Sequence, residues 1–300
     1  MRKVLVSVAA LAVCAAPAFA ADMVAKAAKK AEPAPMVSPW DIAFGGVIST
    51  DYNFRGVSQS NKGPSGGAYF EPQFNTSIGQ FYAGLAVYSI EWPSGGGYGF
   101  TDPAAEVDFY GGWRNSWGPV FLDLGAIYYY YPKEMFNGAT DNSDFWEAYA
   151  KASYAVTPAL TFGGNVFYTP DLLNYSETFT AAGVSADASA VYASATAKWI
   201  LPWTAGDLGS FVSGELGHWW IDDGGFVATG FTDPSYTYYN LGLALTYKAV
   251  TLDLRYHGTD QDTADCNSFL LVAAGNPSSD WCDGTFVASL KFDTALSALK

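Results

Sequence analysis

From residue 40 onward, apolar and polar side chains alternate with a period of two. In "AAEVDFYGGWR" (104–114), Ala105, Val107, Phe109 and Trp113 fall on one face, and Glu106, Asp108, Tyr110 and Arg114 on the other. In "YYNLGLALTYK" (238–248), Tyr239, Leu241, Leu243, Leu245 and Tyr247 oppose Asn240, Gly242, Thr246 and Lys248. In "TLDLRYH" (251–257), Leu252, Leu254 and Tyr256 oppose Thr251, Asp253, Arg255 and His257. A period of two is that of a strand with two different faces. Glycines scattered inside these runs argue against long helices. The pattern predicts twelve strands, at about 42–55, 67–78, 81–91, 104–114, 119–131, 144–156, 159–168, 189–200, 210–221, 236–248, 250–258 and 285–293.

The connections between the strands alternate as well. Those after odd-numbered strands are long and polar, as in "WPSGGGYGFTDP" and "TPDLLNYSETFTAAGVSADA"; those after even-numbered strands are mostly short, as in "NSWG" and Thr157-Pro158. Tight turns at one end and large loops at the other predict an all-β fold: a single transmembrane antiparallel up-and-down β-barrel spanning 40–293. The run "FLDLGAIYYYYPKE" (121–134) fits this surface, because Tyr128 and Tyr130 continue the face of Leu122, Leu124 and Ala126. Facing lipid near an interface, they would join an aromatic girdle with Tyr239, Tyr247 and Phe292.

The ends of the chain set its address. Arg2 and Lys3, the apolar stretch from Val4 to Ala16, and Ala18-Phe19-Ala20 form a cleaved export signal over 1–20. Residues 21–39, rich in Ala, Lys and Pro, read as a flexible periplasmic leader, and 294–300 as a short C-terminal tail. No later run of eighteen apolar residues offers a spanning helix. The expected location is the outer membrane of a Gram-negative bacterium, with both termini periplasmic.

Composition narrows the partners. Aromatic residues make up 17% of the chain and charged residues 15%. Residues 40–300 carry ten Lys and Arg against twenty-seven Asp and Glu, a formal charge near −17. Nucleic acid binding, which needs basic density, is excluded. Expected partners are outer-membrane lipid and lipopolysaccharide and small hydrophilic solutes or ions, with a homo-oligomer as an alternative to the lone barrel. Two cysteines follow the signal, Cys266 and Cys282. In an oxidising compartment they are expected to pair; the rival, a metal pair, lacks a neighbouring third ligand.

Taken as the inner wall, the polar face collects Glu71, Glu106, Asp108, Arg114, Asp123, Glu147, Lys151, Lys198, Glu215, Lys248, Asp253, Arg255, His257 and Lys291. Enclosed charges of both signs must pair or meet water. They predict either a water-filled pathway whose charges tune permeation or a network of ion pairs filling a narrow barrel. No enzyme is expected: only His218 and His257 exist, and no metal-ligand spacing occurs. "TDQDTAD" could hold Ca²⁺ through Asp260, Asp262 and Asp265, or be a solvated acidic loop. No cofactor is expected.

Five stretches together carry a family resemblance: "TDYNFRGVSQS" (50–60), "EVDFYGGW" (106–113), "IYYYYP" (127–132), "DFWEAYAKASY" (144–154) and "FYTPD" (167–171). In this order they resemble the TorF-type porins, the proteobacterial Gcw_chp domain, over about residues 40–293. The resemblance implies an exported outer-membrane barrel and brings no catalytic role. Asp51, Arg55 and Gln59 match its first motif, and Glu106, Asp108 and Glu147 later ones. The chain departs from barrel habit after Phe292, where "DTALSALK" follows the expected terminal aromatic. The expected function is a porin-like channel for passive diffusion of small hydrophilic solutes or ions with weak cation preference. The alternative is a closed barrel that works through its long extracellular loops.

Overall fold

The computed structural model describes residues 9–10, 25–26, 39–92, 103, 105–133, 142–202, 205–271 and 280–299. Nearly all of the signal and of the leader lies outside these residues. Twelve antiparallel strands form a closed barrel. They are β1 (Trp40–Ser49), β2 (Ser65–Thr76), β3 (Gly79–Tyr88), β4 (Glu106–Trp117), β5 (Val120–Tyr130) and β6 (Phe145–Ala155). The wall continues with β7 (Leu160–Thr169), β8 (Ala190–Ile200), β9 (Leu208–Ile221), β10 (Tyr236–Tyr247), β11 (Val250–Thr259) and β12 (Thr285–Ala295).

Each strand pairs with its sequence neighbours, and β12 returns to β1, so no edge is left. The seam runs from Ser289 opposite Ser49 to Ala295 opposite Ala43. Thr294 and Ala295, assigned to the tail by the sequence, are therefore part of the wall. They follow Phe292 because the ladder with β1 has unpaired partners left to take.

At one end, residues 118–119 and 248–249 make two-residue turns. Gly118 (φ +60°) and Lys248 (φ +53°) supply the left-handed conformation that such hairpins need. At the other end, three long connections carry the helices α1 (Tyr175–Ala181), α2 (Gly224–Ala228) and α3 (Thr263–Phe269). The alternation of short and long connections expected from the sequence is the one observed.

The two faces of the wall differ as the period of two requires. Outward residues include Leu85, Leu124, Leu216, Leu241, Leu243, Leu254 and Leu290, all exposed on the outer wall. Trp40, Trp117, Tyr154, Trp199 and Tyr247 ring the short-turn end, and Tyr128, Tyr130, Trp146, Tyr168, Trp220 and Tyr239 the long-loop end. An apolar band between two aromatic rings is the surface of a transmembrane barrel. Inside, tyrosine rings fill the space opposite inward glycines. A Cβ at Gly217 would lie 2.4 Å from the Tyr192 hydroxyl, and one at Gly125 would lie 2.5 Å from that of Tyr149. Glycine at these points lets a neighbouring strand's phenol cross the bore.

Candidate functional site

The inner wall near the short-turn end is a belt of paired charges. Arg114 donates to Glu71 at 2.7 Å and to Gln80 at 2.6 Å, and its guanidinium lies 4.5 Å from the Tyr82 ring centroid. Tyr82 in turn donates to Asp123 at 2.5 Å. Across the bore, Arg255 is paired with Asp253 at 3.0 Å and donates to Ser213 and Asn240. Lys151 lies over the Tyr149 ring and Lys198 over the Phe211 ring, at 4.2 and 3.6 Å.

The other half of the bore is closed by the first long connection. Residues 53–58 fold as a small hairpin in which Asn53 pairs with Ser58 and Phe54 with Val57, leaving Arg55-Gly56 as its two-residue tip. Both tip residues have positive φ, +48° and +93°. That is the geometry of the primed hairpin turns, where the glycine is expected and an arginine is strained. The strain places a guanidinium at the leading point of the hairpin, inside the barrel.

Arg55 is 0% exposed. Nη1 and Nη2 donate to the two carboxylate oxygens of Glu147 on β6, each at 2.8 Å, a bidentate pair. Tyr129 donates to the same carboxylate at 3.0 Å. Four rings enclose the guanidinium: Tyr192 at 4.3 Å, Trp219 at 4.4 Å, and Phe54 and Phe167 at 4.7 Å from their centroids. Burial acts to lower the Arg55 pKa, but the Glu147 carboxylate more than offsets it, so the pKa is raised and the side chain stays cationic.

The base of the hairpin is pinned at several points. Ser58 and Ser60 donate to Asp51 at 2.6 and 3.0 Å, and the Ser58 amide donates to the Trp281 carbonyl at 2.9 Å. Burial pushes the Asp51 carboxyl upward against those hydrogen bonds. Tyr52 donates to Glu106 at 2.5 Å, and Tyr131 donates to the other oxygen of Glu106 at 3.0 Å. Next to it on the same face, Asp108 is 0% exposed, and neither oxygen has a hydrogen-bond partner among the described residues. Beyond the hairpin, toward the loops, a pocket is lined mainly by Phe54, Trp92, Phe145, Leu172, Trp219 and Trp281. α3 closes over it: Phe269 packs on Trp219 and Tyr236, and the bond Cys266–Cys282 ties the helix to the start of β12.

Of the residues expected on the inner wall, Glu71, Glu106, Asp108, Arg114, Asp123, Glu147, Lys151, Lys198, Glu215 and Asp253 are buried inside. Arg255 and Lys291 are half-buried on the same wall, and His257 is within hydrogen-bond distance of Tyr238 at 2.9 Å. Lys248 is the correction. It sits in the turn after β10 with its side chain 66% exposed and reaches Asp207 at 4.0 Å, because the strand ends at Tyr247 and the alternation ends with it. Tyr128, Tyr130, Tyr239, Tyr247 and Phe292 project from the outer wall. The three carboxylates of "TDQDTAD" are engaged locally. Asp260 accepts from the Thr237 amide, Asp262 caps α3, and Asp265 accepts from Thr232. No metal-holding cluster of His, Cys, Asp and Glu occurs among the described residues.

The inserted hairpin was not read from the sequence, which ran the first strand on to residue 55 where β1 ends at Ser49. The signal was present: "NFRGVS" has glycine at the second turn position between short flanks. Its direction, into the bore, has no local signature.

No curated protein matches the sequence. Among solved structures the barrel is similar to the COG4313 outer membrane channel from Pseudomonas putida F1, at 12% identity over 87% of this chain and 97% of that one, with a TM-score of 0.44. It is also similar to the outer membrane channel DcaP of Acinetobacter baumannii, at 10% identity over 85% and 96%, with a TM-score of 0.41. LpxR from Salmonella typhimurium is matched at 8% identity over 83% and 99%, with a TM-score of 0.40. A family model spans residues 31–290, and the chain belongs to that family, the bacterial proteins of unknown function designated Gcw_chp.

Proposed function

We propose that the protein is an outer-membrane channel for small hydrophilic solutes or ions whose bore is closed, in the conformation described, by the hairpin carrying Arg55. The observation that carries this reading is the charged inner wall. Enclosed ion pairs are seldom more stabilising than apolar packing of the same volume. Ionisable groups kept at membrane depth are retained for pathways. A barrel needing only to be filled would have been cheaper to fill with leucine. The plug is a loop segment held to the wall at its tip by one bidentate pair, so the closure is removable in principle. In this reading the long loops face outward, both termini are periplasmic, and the outer wall meets outer-membrane lipid and lipopolysaccharide.

The test is single-channel recording in planar bilayers. Wild type should be closed or show rare, small openings, and Arg55→Ala should raise open probability or unit conductance. Absence of conductance from both proteins, each verified as folded, defeats the channel reading. That outcome would favour the second reading, a closed barrel acting through its loops. The burial of ten inward ionisable side chains and the helical, disulfide-tied loops support that alternative.

A further inference from the structure

The cage around Arg55 belongs mostly to the wall. Glu147 comes from β6, Phe167 from β7, Tyr192 from β8 and Trp219 from β9; of the four rings, only Phe54 travels with the hairpin. We propose that this wall cage is a binding site for guanidinium-type organic cations, which Arg55 occupies as an internal ligand.

The chemistry of the donors selects the class. A carboxylate held with both oxygens toward the cation matches the planar two-donor edge of a guanidinium. An alkylammonium presents a compact point charge instead and makes no such fork. The three wall rings, at 4.3 to 4.7 Å from the guanidinium carbon, add cation–π attraction in a buried space. Tyr129 fixes the carboxylate by donating to Glu147 Oε2, so the fork's orientation does not depend on the ligand.

With Arg55 withdrawn, Glu147 would be a buried carboxylate surrounded by rings. Among the described residues no second guanidinium stands ready to replace that of Arg55. Lys151 lies over the Tyr149 ring and, at 5.3 Å, over the cage ring Phe167, but its ammonium makes no fork, and Arg114 and Arg255 are paired in the belt near the turns. The segments 93–102, 134–141 and 272–279 contain no Lys or Arg at all. A vacated cage leaves Glu147 to take up a proton or accept an external cation, and its shape favours a cation with a flat, two-donor head. This assignment is read from the wall itself and stands apart from whether the barrel conducts.

The experiment uses the full mature chain refolded in detergent, with folding verified by heat-modifiable gel mobility. Trp219 lies in the cage and reports through fluorescence. Ethylguanidinium is the probe and ethylammonium its control. Arg55→Ala should bind ethylguanidinium about tenfold more tightly than ethylammonium, as loss of a bidentate contact implies. Wild type, with its cage filled, should show neither response. Arg55→Ala combined with Glu147→Gln should fold and lose the discrimination. If Arg55→Ala alone does not fold, ethylguanidinium in the refolding buffer should restore folding where ethylammonium does not. A folded Arg55→Ala protein without probe-dependent change, equal binding by the double variant, or an unfolded one that neither probe rescues overturns the proposal. Binding without conductance leaves it intact and removes only the channel reading; conductance without binding does the reverse.

Discussion

Two buried carboxylates set against each other show how a partner decides the worth of a charge. Glu147 has a bidentate guanidinium and a phenol, whereas Asp108 has no hydrogen-bond partner among the described residues and an acidic neighbour in Glu106. Breaking a satisfied buried pair leaves an uncompensated charge and costs about 3–5 kcal/mol. Glu147→Gln should therefore destabilise the barrel by about that amount in urea titrations followed by gel mobility. Adding Arg55→Ala to it should recover much of the loss, since both charges are then gone. Asp108→Asn should be neutral or stabilising, because it replaces a buried carboxyl group that no hydrogen-bond partner among the described residues satisfies. Comparable losses for Glu147→Gln and Asp108→Asn would show that the two sites are not distinguished by their partners.

At the scale of the strand, alternation makes one substitution harmful and a near neighbour harmless. Leu243 on β10 faces outward in the apolar band, where arginine costs about 2–4 kcal/mol at mid-membrane depth. Leu243→Arg should reduce assembled, heat-modifiable protein in membrane fractions, and Lys248→Glu, at an exposed turn, should not. Equal damage from both would refute the assigned faces. Asn240 is not a neutral comparison, because its side chain sits among Arg255, Glu215 and Tyr238. At the level of loops, the Cys266–Cys282 bond closes a sixteen-residue separation, worth roughly 3 kcal/mol in the chain-entropy model. Since it ties α3 rather than two strands, Cys266→Ser with Cys282→Ser should speed proteolysis of that loop in intact cells while barrel mobility on gels stays unchanged. Loss of the barrel band would place the bond in the wall's own stability instead.

For the whole molecule, the balance of charge sets what an open form would pass. The inner wall carries seven carboxylates, and with Arg55 counted and Lys248 set aside its basic residues number six. Bias must then come from acids near the mouth such as Asp144, Asp222, Asp223 and Asp260; Asp141, of the same group, lies outside the described residues. Mouth charges act through solvent and are screened within about 8 Å at physiological salt. Any conducting form that keeps Arg55 should prefer cations weakly in reversal-potential measurements, and the preference should fade between about 0.1 and about 1 M KCl as the Debye length shrinks. Anion preference, or strong cation preference persisting at the higher salt, would rule out the mouth as its source.

The wall of this barrel is written in local sequence. Period-two alternation assigns each side chain of β4, β10 and β11 to a face, and the alternation of turns and loops orders the strands, because both follow from backbone geometry and from lipid replacing water outside. Hence Glu147 and Glu106 were legible as inward residues and Leu243 as an outward one. Local sequence carries no instruction for what enters the bore. Arg55 lies at sequence position 55 and its carboxylate at 147, joined only because the hairpin after β1 turns inward across β6 to β9. Alternation alone permits a water-filled interior or a packed one. The choice rests on whether tyrosines facing inward glycines and a loop-borne guanidinium fill the space, and only the closed ring of twelve strands brings those groups within reach of one another.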